Sequence, residues 1–549
     1  MSDESRRMPL TACRVLGAEP SSIPVEIVGV KRAEVVWSET NSPLRAKLAE
    51  IAAHLADGGT RRAWADRYGG AGIGGNGGSG RAGLFGDTYL KGIGPTPLIG
   101  RTTNSHHISG GAYLEECVRE TVFAQVFAHE LPWGAVTTRG IIDIFDDQHW
   151  APDPESDFPV ASERRVLLAR EPIIRVAHLQ RAVHFTGDYA LTGASDIKRV
   201  EQNIASLVSD MGREALRRRL HQFWLRWCDQ CAYLYVWRLT QGAPSTSNIC
   251  MDGRLLDFGA ASSLPDWCST VVFSGAPESG NDLPQIMQFM WEFYAEHRES
   301  GLALGTSWTE YLSALQAECH RRYYRLVGVE MLRLAGLRRA GIDDWVIEGD
   351  HAAALEAAVV RVTRRFARLF KTTIEAEKES ADWDFPAFWS DCPPSHYLPL
   401  RHIAEQIAST ARGEPIRERM KARCSRRGRL SREIFRRRLH NQLSNPAPGA
   451  RTDATLVSNI ISEEVVAARR DTYYEPRDDV PHGFALAGSV SYALFRQPDG
   501  AIYAVAEPPV MERRENDVRS PTPVCTWTER GQINDEVVDA VHIFDEDGD

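Results

Sequence analysis

Leu114, Val118, Val122 and Val126 recur at every fourth residue inside SGGAYLEECVRETVFAQVFAHEL, which places four apolar side chains along one stripe of a helix. Beyond the turn at Pro132 to Gly134 the period changes. AVTTRGIIDIFDD and RRVLLAREPIIRVAHL are rich in β-branched residues, are bounded by Asp and Pro, and predict strands. The first part of the chain is therefore expected to be a sheet-rich lobe with one main helix. From about Asp196 to Leu439 the helical spacing returns, and 197–240, 282–299, 307–340, 351–376 and 399–440 each predict helix. SNPAPGARTD, Ser444 to Asp453, has the composition of a linker. A short helix should follow, then two strand-like runs around a Pro-Asp-Gly turn in FALAGSVSYALFRQPDGAIYAVAEPP, then a charged tail expected to be disordered. The division that results is an N-terminal lobe at 1–190, a helical lobe at 191–443 and an extension at 444–549.

Composition narrows the classes without choosing among them. The 549 residues suffice for several domains' worth of core, and 43% apolar with 25% charged residues is an ordinary globular balance. A net charge of -10 argues against a general nucleic-acid binder, so no specific nucleic-acid partner is expected. MSDESRRMPLTACRV lacks the apolar core of a signal peptide, and no run of about 18 apolar residues occurs, so the expectation is a cytoplasmic protein with no membrane partner. Ten scattered cysteines suit a reducing compartment. Cys228 and Cys231 have C-x-x-C spacing, but they fall in a helical pattern with no second pair or histidine at zinc-site spacing, which predicts two half-buried thiols. His106 and His107 fall in a polar loop and read as surface residues. RERMKARCSRRGRLSREIFRRRLHNQ is strongly basic, and reads either as a solvated helix face broken at Gly428 or as a contact for an acidic or nucleotide-bearing partner.

The candidate chemistry begins in YGGAGIGGNGGSGRAGLFGDTYLKGIGPTP, where ten glycines precede Lys91. Such a run is either a flexible linker or a loop whose backbone amides come close to a ligand, and a cation beside free amides suits phosphate. It is not a Walker loop, because Gly-Ile-Gly-Pro-Thr-Pro after Lys91 cannot start a helix. A sheet lobe with a glycine loop and a lysine, followed by a helical lobe, is the layout of protein-kinase-like folds, an α+β bilobal class. That layout calls for a carboxylate on the N-lobe helix to hold the lysine, and for a metal-binding Asn and Asp near the start of the helical lobe. Glu120 fills the first role, with Glu116 one turn back as its rival. In QGAPSTSNICMDGRLLDFGAASSLPDW, Asn248 and Asp257 flank a short hairpin-like turn and offer the oxygen ligands that Mg²⁺ accepts.

Several ordered segments resemble the selenoprotein O family, kinase-fold proteins that transfer AMP from ATP to protein hydroxyls. GGNGGSGRA at 74–82 is similar to that family's glycine loop ending in Gly-Asp-Gly-Arg-Ala, and YLKGIGPTP at 89–97 is close to its Leu-Lys-Gly-Ala-Gly-Pro-Thr-Pro. VRETVFAQVFAHELPWGAVTTRG resembles its Arg-Glu helix and Thr-Thr-Arg strand, and IIRVAHLQRAVHF its paired arginines before a His-Phe. QGAPSTSN and LLDFGA stand where the family has His-Gly-Val-Met-Asn-Thr-Asp-Asn and Asp-Tyr/Phe-Gly-Pro. The similarity covers roughly residues 65–270.

The resemblance implies an ATP-dependent transferase with Mg²⁺, or Mn²⁺ in its place. It implies that Lys91 grips the phosphates, Glu120 orients Lys91, and Asn248 and Asp257 hold the metal. Gly75, Gly78 and Gly80 would line the nucleotide loop, while Arg81, Arg175 and Arg181 would contact phosphates of a nucleotide bound so that its α-phosphorus is attacked. The acceptor implied is a protein or peptide, through a hydroxyl or a carboxylate. Two departures bear on this: the family's catalytic-loop Asp is Ser247 here, which is no base at neutral pH, and its loop His is Gln241. The family's C-terminal redox cysteine motif also has no counterpart, only Cys525 lying near the end. Competing readings are a catalytically dead pseudokinase acting as a nucleotide-binding scaffold, an atypical kinase, and a linker protein with coincidental motifs.

Overall fold

The computed structural model describes residues 21–39, 42–70, 75–103, 105–149, 162–264, 269–271, 282–304, 307–334, 337, 342, 345–346, 351–366, 372–373, 394–410, 430–444 and 453–470. Beyond these it describes strand segments at 483–487, 490–496, 502–507, 524–528, 532–533, 536–537 and 540–543. Gly72 and Gly74 of the glycine run, residues 417–429 of the basic stretch, most of the linker at 445–452 and the Pro-Asp-Gly turn at 498–500 lie outside them.

The architecture mixes α and β: an antiparallel sheet of eight strands and a large helical part. The sheet consists of β1 (Ser22–Ile27), β2 (Glu34–Ser38), β3 (Arg61–Asp66), β4 (Ala82–Phe85), β5 (Thr88–Lys91), β6 (Ala112–Tyr113), β7 (Thr138–His149) and β8 (Ser162–Arg170). Its order is β1-β3-β4-β5-β8-β7-β2, with β6 also on β8. Helices cover both faces. On one, α1 (Ser42–Leu55) packs Leu48, Ile51 and Leu55 against Leu90, Ile142, Leu167 and Ala169. On the other, α2 (Leu114–Glu130) packs Val118, Val122 and Val126 into a core that includes Leu168 and Ile141. The strand period of two explains the split: Leu90 points to α1, so Lys91 must point to α2. Register then sets Lys91 opposite Ala82 on β4 and Leu168 on β8, and Tyr89 opposite Arg170.

The expected helical stretches all contain helix; 351–376 is helical only to Phe366, with a short strand at Thr372–Thr373, and 399–440 is described as two helices with 411–429 outside the described residues. The 197–240 stretch divides at Gly212, whose φ of 83° ends one helix, into α3 (Ala194–Met211) and α4 (Arg213–Val236). Then come α5 (Asp282–Glu296), α6 (Trp308–Leu334), α7 (His351–Phe366), α8 (Pro394–Thr410), α9 (Arg432–Ser444) and α10 (Asp453–Arg470). None of the helices described is long and apolar enough to cross a membrane.

Two expectations need correction. The strand read through RRVLLAREPIIRVAHL stops at Arg170, because Pro172 has no N–H to donate, and Val176–Leu179 is a turn of 3₁₀ helix. The tail expected to be disordered contributes Val524–Thr528 and Ala540–Ile543 to a seven-stranded antiparallel sheet with Gly483–Ala487, Val490–Arg496 and Ile502–Glu507. Charge density alone did not reveal those strands, since pairing with the hairpin supplies the backbone partners that a lone segment lacks. Helix α10 packs on α2 and β2.

Candidate functional site

Three distant segments meet at Lys91. Its ammonium lies 2.6 Å from Glu120 Oε2, 3.0 Å from Asp257 Oδ1 and 3.2 Å from Glu116 Oε1. Glu120 and Glu116 are one turn apart on α2, and both reach the lysine. The second oxygen of Glu120 takes Arg170 at 2.9 Å, and Glu116 takes Arg81 at 2.8 Å. Three cations and three carboxylates thus interlock, with Lys91 and Glu120 both buried. Burial works against the charge on Lys91, but Asp257, Glu120 and Glu116 outweigh it and hold the ammonium above the usual lysine value. Burial pushes the Asp257 carboxyl up, yet Lys91, Arg170 and Arg81 hold it well below the usual range, and Arg81 and Lys91 do the same for Glu116.

Asn248 and Asp257 flank a hairpin as their spacing predicts. Ile249 bridges Leu255, Leu256 N–H donates to Asn248 O at 3.1 Å, and the turn closes at Gly253 with φ of 94°. Asn248 Nδ2 donates to Ala243 O at 2.9 Å, which leaves the amide oxygen for another partner. Asp257 has φ of 63°, in the left-handed region where Asp and Asn are the tolerated side chains, and its own side chain is 36% exposed. A carboxylate and an amide oxygen on adjacent rungs suit Mg²⁺, which fills its remaining positions with phosphate and water. Among the described residues no cluster of three or more His, Cys, Asp or Glu forms a metal site. Cys228 and Cys231 are fully buried on α4, and burial pushes both thiols far up.

The departures at 241 and 247 have visible consequences. Gln241 Nε2 donates to Leu256 O at 2.6 Å and to Asn248 O at 3.2 Å, so it ties both arms of the hairpin. Ser247 shares a hydrogen bond with Ser245 through their hydroxyls at 2.7 Å, and its carbonyl accepts from Arg175 Nη1. Arg175 also lies 4.8 Å above the Tyr68 ring and has no salt-bridge partner among the described residues.

The structure brings together Lys91, Glu120, Arg81, Asp257 and, through the hairpin, Asn248, with Arg175 beside the hairpin. It does not bring in Arg181. That side chain is 45% exposed and pairs with Glu296 on α5, because the chain has left the sheet before reaching it. Arg170 and Arg119 were not legible in the sequence. Arg170 ends an apolar run with nothing to mark it, and Arg119, beside Glu120, donates through Nη2 to Gly259 O. Burial first, and Arg432 second, push Arg119 down to about 10.

The glycine stretch is an ordered fold from Gly75 onward, but not an open nest of amides. Gly77 N–H donates to Leu98 O at 2.9 Å, Ser79 N–H to Asp66 O at 2.8 Å and Gly80 N–H to Gly78 O at 2.9 Å. The glycines answer a steric demand. A Cβ on Gly80 would lie 2.7 Å from Ile99 Cγ1, and Gly75 has φ of 61°. At Gly78, φ is 145° and a Cβ would lie 2.1 Å from Asp66 O. Gly78→Ala is therefore expected to lose about 3 kcal/mol of stability in urea unfolding, and an unchanged midpoint would refute the steric account.

No protein-family model matches the chain, and no curated protein matches it significantly.

Proposed function

We propose that this chain is a Mg²⁺- and ATP-dependent nucleotidyltransferase with a kinase-like bilobal arrangement, akin to the selenoprotein O family, which moves AMP to a protein or peptide acceptor. The observation that carries the reading is the convergence of Lys91, Glu120 and Asp257, three side chains far apart in sequence, at 2.6 and 3.0 Å. A lysine poised between a helix carboxylate and a hairpin carboxylate is the arrangement that phosphoryl-type transfer needs, because such chemistry is mostly positioning and charge neutralisation. Asn248 and Asp257 would hold Mg²⁺, which neutralises phosphate charge when bound.

Lys91, Arg81 and Arg175 are the cations available to a triphosphate, and Arg175 is the one among them without a carboxylate partner. Placed on the β- and γ-phosphates they would stabilise departing pyrophosphate, while the acceptor oxygen forms its bond to the α-phosphorus. No carboxylate stands at 247 to take the acceptor's proton, so an acceptor that is already ionised, such as a carboxylate, fits this site best.

ATP labelled at the α- or the γ-phosphate tests the reading. Label from the α-position should reach protein or peptide with release of pyrophosphate, with Lys91→Ala and Asp257→Ala inactive and Ser247→Ala within about fivefold of wild type, since one buried hydroxyl pair is worth about 1 kcal/mol. Transfer of γ-label, or a severe loss in Ser247→Ala, would overturn AMP transfer. The hydroxyl pairing of Ser247 favours a second reading, a nucleotide-binding pseudokinase. Saturable ATP binding with no transfer of either label would select it.

A further inference from the structure

Asp257 has a left-handed backbone and is followed at once by a residue anchored in the core. The neighbouring Phe258 is fully buried and meets Phe127 of α2 edge to face at 5.2 Å. Phe127 meets Phe123 at 5.5 Å, and Phe123 meets Phe435 of α9 at 6.2 Å. Four rings therefore run in one ladder from α9, at the end of the helical lobe, to the residue beside Asp257. Two polar contacts run alongside it. Arg432 N–H donates to Ser262 Oγ at 2.9 Å, just after the Asp-Phe-Gly segment, and His440 Nδ1 lies 2.7 Å from Glu115 Oε1, next to Glu116. Arg438 holds Glu464 with two hydrogen bonds of 2.9 and 2.6 Å, which fastens α9 to α10.

We propose that α9 is a strap that positions the lysine site, with Phe435 as its positioning residue, acting through Phe123, Phe127 and Phe258 on Asp257 and through α2 on Glu116 and Glu120. Glu116, Glu120, Phe123 and Phe127 follow one another along a single stripe of α2, so the rings that meet the strap continue the row of site carboxylates. Loss of the Phe435 ring leaves a cavity at the end of the ladder, and rings that pack edge to face lose their fixed orientation when one is missing. Among the described arginines of the basic stretch, Arg432 and Arg436 pair with Glu433, and Arg438 with Glu464, within the chain. This role stands apart from what occupies the cleft, because it concerns the protein without ligand.

Hydrogen exchange on the full-length chain without nucleotide decides the matter. The Ala261 amide donates to Phe258 O at 3.0 Å and the Leu264 amide to Arg238 O at 2.8 Å, so both report on the segment after Asp257. Phe435→Ala should speed exchange at these two amides and along α2 by about tenfold or more, leave β3, β4 and β5 unchanged, and be largely reversed by Phe435→Leu, which refills most of the volume. Unchanged exchange at Ala261 and Leu264, equal speeding across β3 to β5, or a leucine variant as fast as the alanine one would each overturn the strap. Should Phe435→Ala not fold, His440→Ala removes only a half-exposed side chain; exchange about threefold faster in the first turns of α2 supports the strap, and unchanged exchange there overturns it.

Discussion

Lys91→Met is expected to lose about 3–5 kcal/mol of folding stability together with Mg²⁺-dependent nucleotide affinity, because removing one partner of a buried charge cluster leaves the others uncompensated. Met keeps the length and the apolar stem of Lys91, so the change isolates the charge. Glu120 would retain Arg170 and Glu116 would retain Arg81, but Asp257 would lose the one cation within hydrogen-bond reach. The pH dependence follows in sign. Asp257 and Glu116 have depressed values in the folded protein, so their contribution is present above the ordinary carboxylate value of about 4 and is lost as pH falls below it. Lys91 is raised, so its contribution is present below about 10.4 and is lost only as pH rises through its folded value. The variant should therefore be less stable than wild type at neutral pH and lose less further stability on acidification below about pH 4. Urea unfolding at pH 7 and at pH 3 measures both. Equal stability at pH 7 with an unchanged acid slope would show that the cluster contributes nothing.

Asp257→Asn should lose affinity without the stability: little change in unfolding and about a hundredfold loss of Mg²⁺-dependent ATP affinity, roughly 2.7 kcal/mol. Asn accepts the left-handed φ of 63° as readily as Asp, so the backbone is not strained by the exchange. The side chain is about one-third exposed and Lys91 keeps Glu120 and Glu116, so the lost ion pair costs at most about 1 kcal/mol. The neutral amide is a poorer ligand for a hard dication than the carboxylate. Calorimetry with and without Mg²⁺ checks it, and an affinity whose metal dependence survives in Asp257→Asn would remove the metal assignment from this residue. The difference in stability between the two variants would separate the lysine's part in holding the fold from the metal-binding role proposed for Asp257.

Local order along the chain settled much of this protein. The four-residue stripe from Leu114 to Val126 is buried as its spacing demands, and the long helical tract divides at Gly212, where only glycine takes the turn without strain. The hairpin between Asn248 and Asp257 forms because Asp252 and Gly253 suit a tight turn, and both candidate ligands therefore lie at its two ends on the strength of a ten-residue stretch. Helix period and turn chemistry act over a few residues, so a sequence read alone carries them.

Partners across the chain were decided elsewhere. Nothing near Arg170 marks it as the second cation on Glu120; the register of β8 against β5 and the placement of α2 over that face do. The same register turns Lys91 toward α2 and Leu90 toward α1, whereas the break at Pro172 sends Arg181 away to Glu296. Backbone pairing occupied the amides of Gly77, Ser79 and Gly80 in the described part of the glycine loop, which composition presented as free. Phe435 joined the ladder to Asp257 only because α9 returns to α2 after a long excursion through the helical part. Each of these outcomes depends on which surfaces bury one another, a choice set by the sum of long-range packing and not by any short segment, and that is why tertiary structure alone could make it.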